Sequence, residues 1–293
     1  MDQHDYLQRV LFEDINARAV SVRLDGVVEQ VLGEADYPTA VGGLLARALL
    51  VVATLSSGIK FKGRISLQLQ SSGPLKLLMA DCTEDGGLRG IARLADGAEA
   101  PADAEALFAT LAEDGILTLT LDPPEGGQRW QGIVPLEGAD LAEAIESYFL
   151  RSEQLDTRIR LAVGQGRAAA LMIQQMPGEA EDDDGWNRLQ HLMATVKPEE
   201  MLALQSEALF SRLFHEEKRR LFEARPLRFF CPCSRDRVMD VLSGLGSEEL
   251  GRMAEEEEVV EVRCQFCNRA YQFDPFDLSA ITETGEEGSR TVH

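Results

Sequence analysis

Four of the five cysteines in this 293-residue chain stand in two close pairs. Cys231-Pro232-Cys233 comes first, and Cys264-Gln265-Phe266-Cys267 follows after thirty residues. Each pair can chelate one edge of a tetrahedron, and the intervening chain brings the two edges together, which is the pattern of a four-thiolate zinc site. The expected metal ligands are therefore Cys231, Cys233, Cys264 and Cys267, holding one Zn2+ per chain. The first pair has one intervening residue where two to four are usual, and Pro232 restricts that short segment to a narrow range of conformations. Phe229, Phe230, Phe266, Tyr271, Phe273 and Phe276 surround the pairs.

What such a site does depends on the size of what it holds. A module running from about 229 to 293 has a small core, and structural zinc supplies on the order of 10 kcal/mol at neutral pH. Losing the metal should unfold it. Zinc thiolates are nucleophilic and oxidisable, and a disulfide abolishes ligation. A bridge closed within Cys231-Pro232-Cys233 would be strained, because residues two apart in an extended chain lie near the upper limit of allowed Cα separation. Strained bridges are the labile ones. Two readings stay open on the spacing alone: a permanently folded zinc ribbon, and a switch that couples oxidation to unfolding.

Charge removes one class of function. The chain carries 50 acidic and 29 basic side chains, a net charge of −21. Phosphate neutralisation needs clustered lysine and arginine, so a general nucleic-acid binder is excluded and anionic membranes are disfavoured. From Cys231 onward there are six arginines, no lysine and fourteen acidic residues, which also weighs against a zinc-ribbon nucleic-acid binder. A thiol-disulfide oxidoreductase is the other rival. It would place Cys-x-x-Cys at a helix start in a βαβ setting, whereas here the pair lies between strand-like runs at 259–262 and 270–273. The start of the chain has neither a basic n-region nor an apolar h-region, so a cytoplasmic protein is expected, with cysteines serving metal or redox chemistry. The apolar run 40–55 is interrupted by Arg47 and is shorter than the roughly 20 residues of a membrane span. It reads as a buried helix.

The elements that must position the cysteines divide in three. Residues 1–178 read as an α+β core domain with an antiparallel sheet. Ile65, Leu67 and Leu69, then Leu117, Leu119 and Leu121, then Ile159, Leu161 and Val163 each alternate with polar or small residues, as half-buried strands do. Turn signals at 72–74, 85–87, 123–127 and 164–166 separate the strands. Helical patterns fall at about 38–56, 103–112 and 139–152. Near 178 an acidic stretch (Glu179, Glu181 to Asp184) begins a helical linker, 179–228. There Trp186, Leu189, Leu192, Met193 and Val196 share a face, Pro198 opens the next helix, and a further helix is expected over 206–222. Short helices of this kind are marginal alone and need a neighbour. Residues 229–293 read as a C-terminal zinc-binding domain, with a loose final dozen residues.

Several weaker motifs carry bland readings. His215-Glu216-Glu217-Lys218-Arg219 lacks the second histidine of a zinc-protease helix and reads as an exposed helix face. Gly164-Gln165-Gly166 with Ala169 reads as a hairpin turn rather than a dinucleotide loop. Ser57-Gly58-Ile59-Lys60 has no partner motif. Asp182 to Asp184 reads as solvated linker rather than a calcium loop. Cys82, beside Asp81, reads as a buried thiol with a raised pKa. His191 has no nucleophile for company, and the chain-end His4 and His293 carry no reading. The apolar stripes at 172–176 and 193–209 read as packing surface, the second doubling as a candidate binding surface. Glu255 to Glu258 is a solubilising run.

The cysteine pattern, CPCSRDR then VRCQFCNRAYQF, resembles that of the redox-regulated heat-shock chaperones, the 33 kDa heat-shock protein family. The resemblance runs over nearly the whole chain, through HDYLQRVLFED, ISLQLQSSGPLKLLMAD, RGIARL, LEGADLAEAIESYFLRSEQLDTRI, QQMPG and LFHEE. It implies an ATP-independent holdase and no enzyme. The reduced form would bind one zinc through Cys231, Cys233, Cys264 and Cys267 and be inactive. Oxidants under unfolding conditions would release zinc and form Cys231–Cys233 and Cys264–Cys267 disulfides. The switch and linker would then unfold, and the chain would dimerise and bind unfolded client proteins. Cys82 has no place in that pattern.

Overall fold

Two sheets and the helix between them account for most of the core. The computed structural model describes residues 5–33, 35–58, 63–123, 127–256 and 259–279. In chain order the first part holds β1 (Tyr6–Phe12), β2 (Ala17–Leu24), α1 (Gly26–Gly33), α2 (Thr39–Leu55), β3 (Arg64–Gln70), β4 (Leu75–Thr83), β5 (Gly87–Leu94), α3 (Ala104–Leu111), β6 (Ile116–Asp122), β7 (Trp130–Pro135), α4 (Leu141–Tyr148), β8 (Thr157–Gly164) and β9 (Arg167–Gln175). There follow α5 (Gly185–Ala194), α6 (Pro198–Ala203), α7 (Ser206–Phe214), β10 (Arg219–Leu221), β11 (Arg225–Pro226) and β12 (Arg228–Phe229). The last part holds α8 (Arg235–Ser243), α9 (Ser247–Glu256), β13 (Val260–Arg263) and β14 (Ala270–Phe273). The fold is α+β, as expected.

The first sheet has the order β10-β1-β2-β9-β8, with β11 also on β1, and every pair in it is antiparallel. The second runs β12-β5-β4-β3-β6-β7 and is antiparallel except for β12 on β5. Helix α2 packs on strands of both sheets. Fourteen of its seventeen residues are buried, which explains why 40–55 is apolar all round rather than on one stripe. The two-residue turn between β8 and β9 places Gln165 at φ 54° and Gly166 at φ 72°, the doubly left-handed geometry that matches strand twist in tight hairpins. Gly164-Gln165-Gly166 is thus a hairpin turn. Helix α4 starts two residues later than expected, capped by the Asp140 carboxylate on the Glu143 N–H, and runs on as a π turn over Phe149–Glu153.

Strand β2 is buried on both faces, as is β9. One face meets α2. The other carries Val10, Phe12, Ala17, Ala19, Ala169, Leu171 and Ile173 and is covered by Leu189, Met193, Met201, Leu209, Phe210, Leu213 and Phe214 from α5, α6 and α7. The neighbour that the short helices require is this sheet face. Polar groups seat the α6–α7 junction. The Tyr6 hydroxyl donates to Gln205 Oε1 (2.6 Å) and accepts from the Ser206 N–H (3.0 Å), and Ser21 Oγ lies 2.8 Å from Ser206 Oγ. The Arg23 guanidinium donates to the Leu204 and Leu202 carbonyls at 2.5 and 3.1 Å.

The expected helix over 206–222 is corrected: α7 stops at Phe214, and 219–221 forms β10 against Val10, Leu11 and Phe12 of β1. Tertiary pairing with a sheet edge overrides the helical charge pattern. His215 to Arg219 is accordingly a turn entering a strand. Within it Glu217 accepts two hydrogen bonds from Arg188 of α5, at 2.7 and 2.9 Å. The chain divides into two compact units between Phe230 and Cys231, just beyond the expected start at 229. Phe229 packs on the main core, and the Phe230 N–H donates to the Leu88 carbonyl. Both aromatics thus belong to the first unit.

Candidate metal centre

Each cysteine pair sits where a short local motif fixes the backbone. Cys231 and Cys233 flank Pro232 just before α8, whose first turn is capped by Ser234 Oγ accepting from the Arg237 N–H. Arg237 reaches back and donates to the Pro232 carbonyl at 2.8 Å. Cys264 and Cys267 lie in the turn that joins β13 to β14. The Cys264 N–H donates to the Arg269 carbonyl, and the Cys264 carbonyl accepts from the Asn268 N–H at 2.7 Å. Asn268 sits at φ 50°, a left-handed position that asparagine tolerates better than most residues.

These two motifs bring all four sulfurs within 4.8 Å of one another. Cys231 Sγ lies 3.7 Å from Cys264 Sγ, and Cys233 Sγ lies 3.2 Å from Cys267 Sγ. A tetrahedron with metal–sulfur bonds of about 2.3 Å has sulfur–sulfur edges of about 3.8 Å, so the spacing suits a four-thiolate metal ion. All four are free thiols and half-buried. They are the cysteines singled out from spacing.

Cys231, Cys233 and Cys267 differ in acidity. Burial pushes the Cys231 thiol up, and neighbouring thiols add to that. Burial also opposes ionisation of Cys233, but hydrogen bonds from Tyr271 and the three other cysteines outweigh it and lower the thiol to about 7. Burial raises Cys267, and its proton is further held by Cys233, Cys264 and Cys231. The Tyr271 hydroxyl donates to Cys233 Sγ at 3.2 Å. Sequence reading placed Tyr271 only among the surrounding aromatics. Strand β14 carries it back to Cys233, a placement that its sequence position alone does not signal. Among the other expected neighbours, Phe273 is buried in the small core of this unit, with Arg235 stacked over its ring at 4.4 Å, whereas Phe276 is 82% exposed.

The other candidates Cys82, His191 and Asp182 belong to the first unit. Cys82 lies in β4 of the first unit and is fully buried, with its thiol pushed up to about 11, chiefly by burial. His191 Nδ1 contacts the Asn187 carbonyl on its own helix. Asp182 pairs with Arg188 at 2.7 Å. His4, His293, Ile59, Lys60, Glu257 and Glu258 lie outside the described residues.

The model of the family described as "Hsp33 protein" matches residues 5–274. This chain belongs to the Hsp33 family. Curated Hsp33 relatives named 33 kDa chaperonin include one from Methylobacillus flagellatus, 41% identical over 97% of this chain and 96% of that relative. Another, from Pseudomonas aeruginosa, is 42% identical over the full length of both chains. A crystal structure of the 33 kDa chaperonin homologue from Thermotoga maritima superimposes with a TM-score of 0.83, covering 97% of this chain and 99% of that one at 21% identity. That likeness establishes the fold. By the name its curated members carry, Hsp33 is a family of molecular chaperones. Among the described residues no helix is long and apolar enough to cross a membrane.

Proposed function

We propose that this chain is a cytoplasmic, redox-switched, ATP-independent holdase that binds unfolding proteins under oxidative and heat stress, and that it is not an enzyme. The observation that carries the reading is the apolar outer face of the first sheet, covered by three helices of ten, six and nine residues. Helices that short hold their structure only through the face they cover. Residues 179–228 act as the linker, and residues 229–293 as the zinc-binding switch.

Cys231, Cys233, Cys264 and Cys267 hold zinc in the reduced state. When bound, zinc cross-links the four thiolates and supplies folding energy that the small core of this unit lacks. On oxidation each thiolate pair would give two electrons to one peroxide, which takes two protons from solvent and leaves as two waters, while the Cys231–Cys233 and Cys264–Cys267 bonds form. The sulfurs are then no longer ligands, and the hairpin and α8 lose the cross-link that joined them. Because β12 runs directly into Cys231, loss of order spreads along the chain into β10–β12 and the three covering helices. The uncovered face, with Phe12, Leu171 and Ile173, binds apolar segments of client proteins, and the active form is a homodimer. The acidic surface works against nucleic-acid and membrane binding. The Cys264–Cys267 pair sits in a hairpin turn rather than at a helix start, which speaks against a thiol-disulfide oxidoreductase.

Peroxide treatment of the reduced, full-length protein at mild heat tests this directly. Metal release is followed with a chromogenic zinc chelator, and aggregation of a thermally unfolding enzyme by light scattering. Both should change together. Metal release without suppression of aggregation would overturn the chaperone mechanism.

A further inference from the structure

Where the two sheets approach the end of α2, a crevice of about 370 Å3 opens between them. This is at the small end of the range for small-molecule pockets. Its walls are apolar and aromatic: Leu55 from α2, Leu121 from β6, Trp130 from β7, and Tyr148 and Phe149 from the end of α4. Trp130 and Tyr148 meet edge to face with ring centroids 6.5 Å apart, and Trp130 remains 42% exposed at the rim.

The floor is a cation. Arg18 of β2 donates from Nε and one terminal nitrogen to Gln174 Oε1, at 3.0 and 2.6 Å. Gln174 is 2% exposed, and its amide nitrogen donates to Thr157 Oγ1 at 2.8 Å, while that hydroxyl donates to the Leu155 carbonyl. This buried relay fixes which end of the Gln174 amide faces the arginine. The partner it supplies is neutral. Among the described residues Arg18 forms no ion pair, and its second terminal nitrogen makes no hydrogen bond. Burial and the nearby Arg9 both disfavour its charge, and among the described residues no carboxylate offsets them. Elsewhere in the same unit the buried Asp81 shows the usual arrangement, paired with Arg89 at 2.7 Å and Arg64 at 3.6 Å. A half-buried guanidinium facing an apolar crevice without a counter-ion is set to receive one. Gly58 leaves the room for it: a Cβ there would fall 2.4 Å from an Arg18 terminal nitrogen.

We propose that this crevice binds a small amphipathic monocarboxylate, with its apolar body against Trp130, Tyr148 and Leu121 and its head group on the Arg18 guanidinium. Glu153 also lines the crevice and takes the Tyr148 hydroxyl as donor at 3.3 Å. Its charge restricts the ligand to a single negative group. No residue of 179–228 lines the crevice, so binding is separate from the covered sheet face.

Calorimetric titration of the reduced, full-length protein with octanoate, and in parallel with octanol, tests the assignment. Octanoate should bind once per chain, with octanol at least about tenfold weaker, the size of a hydrogen-bonded charge contact. Arg18→Met should lose octanoate binding by a similar factor while keeping the parent circular dichroism spectrum, and Arg18→Lys should retain part of it. If Arg18→Met does not fold, Gly58→Ala displaces the guanidinium while keeping its charge, and the same loss is expected. Absence of octanoate binding, equal binding of octanol, or undiminished binding by the displaced or neutral variant would overturn the proposal.

Discussion

The two compact units differ in what holds them together. In the first, α2 is buried between strands of two sheets, and one continuous cluster reaches from Leu7 to Leu227. In the second, the buried apolar side chains are Leu242, Leu250, Val260, Phe273 and Leu278, arranged around a two-stranded sheet. A lone hairpin is marginal in water, and so small a core supplies little folding energy. The four clustered cysteines occur in the unit with the small apolar core, and Cys82, in the unit with the large one, has no thiol partner. On the proposed mechanism, oxidation would act where losing a cross-link has the largest structural effect.

The largest effect that can break this contrast is removal of one ligand. Cys264→Ser should abolish amide-exchange protection across 231–279 while leaving β2 and β9 protected, as read by hydrogen-exchange mass spectrometry. Protection retained in the second unit would show that its apolar core suffices. The next largest effect lies where the first unit is covered by short helices. Phe214 is fully buried and meets the Phe12 ring edge to face at 5.2 Å. Phe214→Ala should weaken the seating of α7 by about 3–5 kcal/mol, lowering the urea midpoint for linker release and giving aggregation suppression without oxidant. Tyr6→Phe removes a hydroxyl that both donates to Gln205 and accepts from Ser206. It should weaken the same seating by about 1 kcal/mol and lower the midpoint by correspondingly less. The smallest effect concerns Cys82. Its ordinary value of 9.0 rises to about 11 on folding, so the unfolded chain gives up this proton first. Its contribution to stability is whole below about 9 and is lost as pH rises toward about 11. Cys82→Ala should flatten that part of the stability profile, and in the parent at pH 8 iodoacetamide should leave Cys82 unmodified.

Legibility in the sequence followed the same contrast. The cysteine cluster was readable because residue type and spacing are local: two pairs, Pro232 between one of them, and a turn carrying the other. Strands β3, β6 and β8 were readable because each has one polar face. Strands β1, β2, β4 and β5 were not assigned individually. Strand β2 is buried on both sides, so its sequence loses the period-two signature. The end of α7 was misread because 215–220 carries helix-like charge, and only pairing with β1, two hundred residues away in sequence, makes 219–221 a strand. The apolar stripe of α5 was legible, but the face it covers was not, since that face is assembled from four strands at opposite ends of the first 175 residues. Tyr271 stood in plain view, yet its role depends on β14 carrying it back over Cys233.

The central claim is that oxidation acts by lifting the short helices off the first sheet. A chain with Ser21→Cys and Ser206→Cys tests it most directly, because those side-chain oxygens lie 2.8 Å apart and a disulfide there pins α7 to β2. After peroxide treatment at mild heat, the pinned protein should release its metal at the parent rate and fail to suppress client aggregation. Suppression equal to the parent, with the 21–206 bond shown intact by mass spectrometry, would contradict the account.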